Sequence, residues 1–168
     1  TRWLFGQVVG VHAQSATIAE RFVQCGAPHV DVTSSLKWDV MAQPPEDAEV
    51  DALARDMGID RARPVIVVGS SAPEEHALMQ DATPECVQLV VAPRRPEWWD
   101  DAAAVFAGCA RRSDGSCGSA TDRFLLDSIG DLSAAYVLAD LVIIGRSFAA
   151  RHGSDPLEPA GMGKAVIC

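Results

Sequence analysis

Three runs of the chain are apolar almost from end to end: Pro64-Val65-Ile66-Val67-Val68-Gly69, Val87-Gln88-Leu89-Val90-Val91-Ala92 and Leu141-Val142-Ile143-Ile144-Gly145. A strand that alternates apolar and polar residues has one wet face, and a strand without that alternation has none. Such runs fit a sheet covered on both sides, the usual setting of parallel strands. Between them lie stretches with helical spacing. Val50, Leu53, Ala54 and Met57 form one stripe, closed by Gly58, and Leu132, Ala135, Tyr136 and Leu138 form another. A helix over Trp98 to Ala107 is expected to turn Ala104, Val105 and Phe106 inward. Strands alternating with helices predict an α/β fold: a three-layer αβα, Rossmann-like domain with a mainly parallel sheet of about five or six strands.

Leu4 to Val11 reads as a further strand, and Gln14 to Gln24 as a helix capped by Ser15 and stopped by Gly26. Val30 and Val32 mark a short strand. Paired prolines in residues 42–48 mark a loop or linker, which sets residues 1–40 apart from the main domain (41–168). Residues 111–122 are polar and rich in Gly and Ser, so they are expected to be exposed and weakly packed. The formal net charge of −9 excludes the basic footprint of a nucleic-acid binder. No apolar run approaches the roughly 20 residues needed to span a bilayer. The chain starts at Thr1 and stops at Cys168 directly after Ala165-Val166-Ile167, and reads as a fragment of a longer protein. Its five cysteines form no C-x-x-C pair, and neither they nor the four histidines have metal-ligand spacing. No metal or cofactor is therefore expected.

Consecutive parallel strands point their carboxyl ends the same way, so the loops that follow them share one edge of the sheet. Here those loops carry Ser70-Ser71, Pro93-Arg94, Ser128-Ile129-Gly130-Asp131 and Ser154-Asp155-Pro156-Leu157-Glu158. Asp155 is a good N-cap, and Pro156 has its φ preset for a first helical turn. The free N–H groups of such an end attract a phosphate, and Glu158 stands where it could accept from sugar hydroxyls. The plainer alternative is that these residues only start a helix. Arg94 is suited to a bidentate phosphate contact and Gly130 to close approach of a nucleotide to the backbone; the plainer alternatives are a surface arginine and a packing glycine. Ser70 and Ser71 are either donors to a ligand or caps of the helix that follows. No G-x-G-x-x-G or P-loop pattern is present, which argues against a dehydrogenase or an ATPase.

These residues together resemble the carboxy-terminal half of the Kdo (3-deoxy-D-manno-octulosonic acid) transferases. Ala13-Gln14-Ser15 through Gly26-Ala27 resembles that family's "AQSEEDAERFRALGA", and Val32-Thr33-Ser34-Ser35-Leu36-Lys37-Trp38-Asp39 resembles "VTGNLKFD". Ser70 to Glu75 resembles "STHxGEE", Pro93 to Glu97 "PRHPER", Asp127 to Leu132 "DTMGEL", and Gly145 to Ala160 "GGSLVxxGGHNPLEPA". The resemblance implies one half of a GT-B glycosyltransferase, binding the donor CMP-Kdo for transfer of Kdo to a lipid A precursor in lipopolysaccharide core synthesis. It implies a nucleotide site of Pro93, Arg94, Ile129, Gly130, Asp131, Asp155, Pro156, Leu157 and Glu158, with further donor contacts from Ser70, Ser71 and Ser154. It places the acidic general base and the acceptor groove in an amino-terminal domain, so no catalytic residue is expected in this chain and the isolated fragment is expected to be inactive. It also implies work at the cytoplasmic face of the bacterial inner membrane, with peripheral membrane association through the other half. The chain departs from the family pattern at Ser71, Arg95, Arg146, Ser154 and Asp155. Those departures leave open a non-catalytic nucleotide-binding or interaction domain of the same descent.

Overall fold

The computed structural model describes residues 2–35, 44–115, 121–149 and 153–168. They form two compact units, Thr1–Gln43 and Pro44–Cys168. In the first unit, α1 (Arg2–Phe5) leads to β1 (Val11–Ala13), α2 (Ala16–Gln24) and β2 (Val30–Val32). The two strands pair in parallel, Val11 opposite Val30. Ser15 caps α2 as its position suggests, its hydroxyl accepting the Ile18 N–H at 3.4 Å. Of the strand expected over Leu4 to Val11, only Val11 is in a strand, at the start of β1. The Arg2 carbonyl accepts the Gly6 N–H at 3.0 Å, closing a helical turn instead. Phe5 meets Phe22 edge-on at 5.3 Å. Apolar composition alone read this turn as a strand, although Val9 is 91% exposed and pairs with nothing in a sheet. The Leu36 to Asp39 part of the family-like stretch lies outside the described residues.

The second unit holds a six-stranded sheet, ordered β5-β6-β4-β3-β7-β8, in which every neighbouring pair is parallel. Its strands are β3 (Val65–Ser71), β4 (Gln88–Pro93), β5 (Ala110–Arg111), β6 (Arg123–Leu125), β7 (Leu141–Ile144) and β8 (Ala165–Ile167). The helices are α3 (Asp47–Met57), α4 (Pro73–Ala82), α5 (Trp99–Val105), α6 (Leu132–Leu138) and α7 (Leu157–Gly161), with a 3-10 turn at Pro96–Trp98.

The continuous apolar runs divide between two faces, as the period of a strand requires. Val67, Val90, Phe124, Val142 and Ile144 face one core, against Val50, Leu53 and Met57 of α3 and Ala135 and Tyr136 of α6. Val68, Leu89, Val91 and Leu125 face the other, against Met79 of α4 and Ala102 of α5. The result is the expected three-layer αβα arrangement. On the second face the inward residues are Ala102 and Phe106, four apart, while Ala104 and Val105 are exposed. The expectation for those two is corrected: i and i+4 share a helix face, and consecutive residues do not.

The sheet runs outward from β3 in both directions, to β4 on one side and β7 on the other. In open α/β sheets a ligand crevice opens at the carboxyl edge where the chain changes direction in this way. Two glycines let elements close on that edge. A Cβ at Gly69 would come 2.0 Å from the Tyr136 hydroxyl, and one at Gly145 would come 2.4 Å from the Ser71 Cα.

Candidate functional site at the carboxyl edge of the sheet

The site is built on an irregularity at the end of β3. Pairing with β4 shifts register between Gly69 and Ser71, and Ser70 stands in the gap with φ 58. A non-glycine residue at positive φ is strained, and bulges of this kind re-aim side chains. Ser70 lines an open cleft, while Ser71 is fully buried and shares a 2.9 Å hydrogen bond with His76 Nε2. Ser71, expected to reach the donor, therefore faces inward. Neither serine caps α4. The N-cap is Ala72, and its N–H donates to Glu75 Oε2 at 3.1 Å.

Glu75, in the first turn of α4, received no role from the sequence. It is 1% exposed and holds two loops together. Besides the Ala72 N–H, it accepts the Arg146 N–H at 2.7 Å and the Phe148 N–H at 2.9 Å. Two further bonds fasten neighbouring loops to the same segment. The Arg94 N–H donates to the Ser71 carbonyl at 3.0 Å, and the Gly145 N–H to the Gly69 carbonyl at 2.8 Å. The local signal was an acid at the third helical position, reaching back to the cap N–H. Nothing local announced the partners 71 and 73 residues away.

On this frame a cleft of about 310 Å³ opens, with Ser70, Pro93, Arg94, Ser128, Ile129 and Gly130 among its walls and Ala92 and Leu126 beneath. Loops after three different strands thus converge, as their shared direction requires. Gly130 has φ 107, and nothing stands within 4 Å of where its Cβ would be. Its absent side chain keeps that wall open, and its φ disfavours any other residue. An apolar floor, a bare backbone wall and one guanidinium at the rim suit a base, a sugar and a phosphate. Beside the cleft is a second hollow of about 250 Å³, lined by Arg94, Arg95, Trp98 and Arg146. The Arg95 guanidinium lies 5.2 Å from the Trp98 ring centroid and 3.3 Å from Glu97. Arg146 has φ 67.

The remaining residues singled out from the sequence stand outside the cleft wall. Asp131 accepts from Ser128 Oγ and from Arg112 Nε at 3.1 Å, so it fastens the Gly130 loop. Asp155 Oδ1 accepts the Leu157 N–H at 3.1 Å, and the assigned helix starts one residue later than expected, with Pro156 at its N-cap. That helix, α7, has five residues. The Glu158 carboxylate accepts from Ser133 Oγ on α6, the helix whose first residue, Leu132, does line the cleft. Burial, and then the nearby Glu158 charge, push the Tyr136 phenol well above its ordinary value. Among the described residues, buried Ser154 Oγ has no hydrogen-bond partner. Arg151 and His152 lie outside the described residues.

The polar segment 111–122 differs from expectation at its start. Arg111 Nε donates to Asp127 at 2.7 Å, and the N–H and hydroxyl of Ser113 donate to the same carboxylate at 2.8 and 2.6 Å. Gly and Ser content said nothing of this anchor, because its acceptor lies on another strand end. Residues 113–115 are exposed, and 116–120 lie outside the described residues. Burial of Asp127 opposes its ionisation, but the Ser113 donors and Arg111 outweigh it and hold the carboxyl below its ordinary value. A depressed carboxyl stabilises the folded state fully above the unfolded value of about 3.9, and that stability is lost as pH falls through the folded value. Acid unfolding of an Asp127→Asn variant should accordingly be less steep below about pH 4 than that of the parent. Superimposable acid limbs would show that the pair contributes nothing to folding.

The cleft and its frame can now be set beside known proteins. The chain is 34% identical over 173 residues to a 3-deoxy-D-manno-octulosonic acid transferase of Bordetella pertussis, a match that spans 94% of this chain. The chain is a homologue of the Kdo transferases. A second such relative, from Haemophilus influenzae, is 25% identical over 98% of the chain. The chain spans about two fifths of the length of these Kdo transferases, 39% of one and 41% of the other. Among solved structures it is similar to the C-terminal CMP-Kdo binding domain of WaaA from Acinetobacter baumannii. That similarity has a TM-score of 0.59 and 26% identity, over 71% of this chain and 67% of the other. The parallel sheet with helices on both faces is thus similar to that of the WaaA domain. No family model matches the chain.

Proposed function

We propose that Pro44–Cys168 is the donor-binding domain of a Kdo transferase, taking CMP-Kdo at the carboxyl edge of its sheet. The observation that carries the reading is the cleft where Ser70, Arg94 and Gly130 meet from three strand ends. In this reading the cytidine lies against the apolar floor and the Gly130 wall, and the phosphate meets Arg94. Asp131 holds the Gly130 loop, and Asp155 to Glu158 close the ribose side through Ser133. As the bond from the phosphate oxygen to the sugar breaks, its electron pair leaves with CMP. A guanidinium already in place stabilises the charge that builds there.

The acceptor is a lipid A precursor, and the acidic general base that activates it belongs to a further domain of the longer protein. Residues 1–40 then lie at the boundary of the two halves, and the fragment by itself transfers nothing. Such an enzyme works at the cytoplasmic face of the inner membrane, which it meets through its other half. No helix among the described residues is long and apolar enough to cross a membrane. A second reading, a nucleotide-binding domain without catalysis, draws support from the inward-facing Ser71 and from Asp155 in place of a neutral residue.

Titration of the 168-residue chain with CMP, UMP and AMP tests the site. CMP is expected to bind at least about tenfold more tightly than AMP, since a pocket that pairs a base edge rejects one that leaves its polar groups unmatched. Equal affinity for all three would remove the CMP-sugar reading. Transfer of Kdo by this chain alone would refute the division of labour between halves.

A further inference from the structure

The hollow lined by Arg94, Arg95, Trp98 and Arg146 is a separate feature from the cleft, although Arg94 belongs to both. Three of its four lining residues are arginines, in a chain whose net charge is −9 and which has 14 Lys and Arg in all. Arg95 is held by Glu97 at 3.3 Å, and a planar guanidinium fork can still turn a donor edge to an anion in such a hollow. The hollow is also built. Arg94 and Arg146 follow β4 and β7, the two neighbours of β3, so the hollow straddles the place where the sheet changes direction. Their backbones are pinned to one segment, Arg94 to the Ser71 carbonyl at 3.0 Å and Arg146 to Glu75 at 2.7 Å. Trp98 supports the third guanidinium from its ring face at 5.2 Å. Arg146 holds φ 67, a conformation that glycine would adopt more readily. A strained arginine at such a point is more readily explained by its side chain than by its backbone.

We propose that this hollow is a second oxyanion subsite, which takes the carboxylate of the activated sugar acid while the cleft takes the nucleotide. The inference rests on the donor reading above. In a CMP-linked 2-keto sugar acid, the carbon that carries the phosphate ester also carries the carboxylate. Two anionic groups then lie a few bonds apart, and one cation cannot satisfy both. Adjoining hollows that share Arg94 match that pair: phosphate on the cleft side, carboxylate between Arg94 and Arg146, and Arg95 on Trp98 closing the outer wall. The subsite thereby selects donors that carry an acid group over neutral CMP-sugars.

The test compares the affinities of the 168-residue chain for CMP and CMP-Kdo, in the parent and in Arg146→Gly and Arg146→Lys. Glycine suits the positive φ and keeps the N–H that Glu75 accepts, so this variant is expected to melt no lower than the parent. The ratio of CMP-Kdo affinity to CMP affinity is expected to fall about tenfold in Arg146→Gly and by less in Arg146→Lys. An equal loss for both ligands would assign Arg146 to the nucleotide phosphate and overturn the proposal. No loss for either would make Arg146 a structural residue and overturn it as well. If the parent itself binds neither CMP nor CMP-Kdo, the donor reading fails, and the subsite fails with it.

Discussion

Replacing Glu75 by alanine is expected to cost about 3 kcal/mol or more of stability and to abolish nucleotide binding by the chain. The carboxylate is 1% exposed and accepts from three backbone N–H groups, those of Ala72, Arg146 and Phe148. Each buried donor left without a partner costs roughly 1–3 kcal/mol, and bonds to a charged acceptor lie at the upper end. The losses do not add fully, because water enters the space that the side chain leaves. The effect on binding is the larger one. Without this carboxylate the loop after β7 separates from the start of α4, and the bulge holding Ser70 loses its outer support. Glu75→Gln should fall between parent and alanine, since one amide oxygen still accepts while its NH2 opposes a backbone donor. The measurement is the denaturant midpoint together with a CMP titration. A Glu75→Ala chain with the parent's midpoint would show that solvent satisfies all three N–H groups, and the frame would have to be sought elsewhere.

Arg94→Ala is expected to weaken CMP binding about tenfold or more while leaving the fold intact. The side chain is exposed and lines the cleft, so its loss removes a charge-assisted contact to the phosphate there. What Arg94 gives the fold is its backbone N–H, bonded to the Ser71 carbonyl at 3.0 Å, and alanine keeps that. Lysine at this position should recover part of the affinity, because it restores the charge without the planar fork. The difference between parent and alanine should also narrow as salt is raised, since an exposed guanidinium is screened. Glu158→Gln should do less harm than Arg94→Ala. The Glu158 carboxylate reaches the cleft wall only through Ser133, and the amide can still accept from that hydroxyl. If CMP binds Arg94→Ala as it binds the parent, the phosphate does not lie at this edge of the sheet.

The order of elements in Pro44–Cys168 was legible because several independent signals agreed. Strands β3, β4 and β7 lack polar alternation, which only a sheet covered on both faces permits. Helix α3 announced its buried stripe of Val50, Leu53, Ala54 and Met57 and its stop at Gly58, which has φ 76. From that order alone followed the parallel sheet, its three layers and the meeting of the Ser70, Arg94 and Gly130 loops at one edge, because successive parallel strands must share a direction. The first residues were misread for the opposite reason. Leu4 to Gly10 forms no strand, and composition cannot say whether a partner exists.

The sequence by itself thus determined the alternation of parallel strands and helices, both apolar faces and the edge where the candidate site lies. Each of those is written in periodicities a few residues long. Tertiary structure alone decided which side of that edge each side chain faces. A register shift of one residue turned Ser70 outward to the cleft and Ser71 inward to His76. Contacts across more than 70 residues made Glu75 the fastening of two loops, and the closing of β7 on β3 brought Arg146 beside Arg94 and Arg95. Hydrogen bonds and charge pairs of that range depend on where separate strands end in space, and no local pattern of residues records that distance.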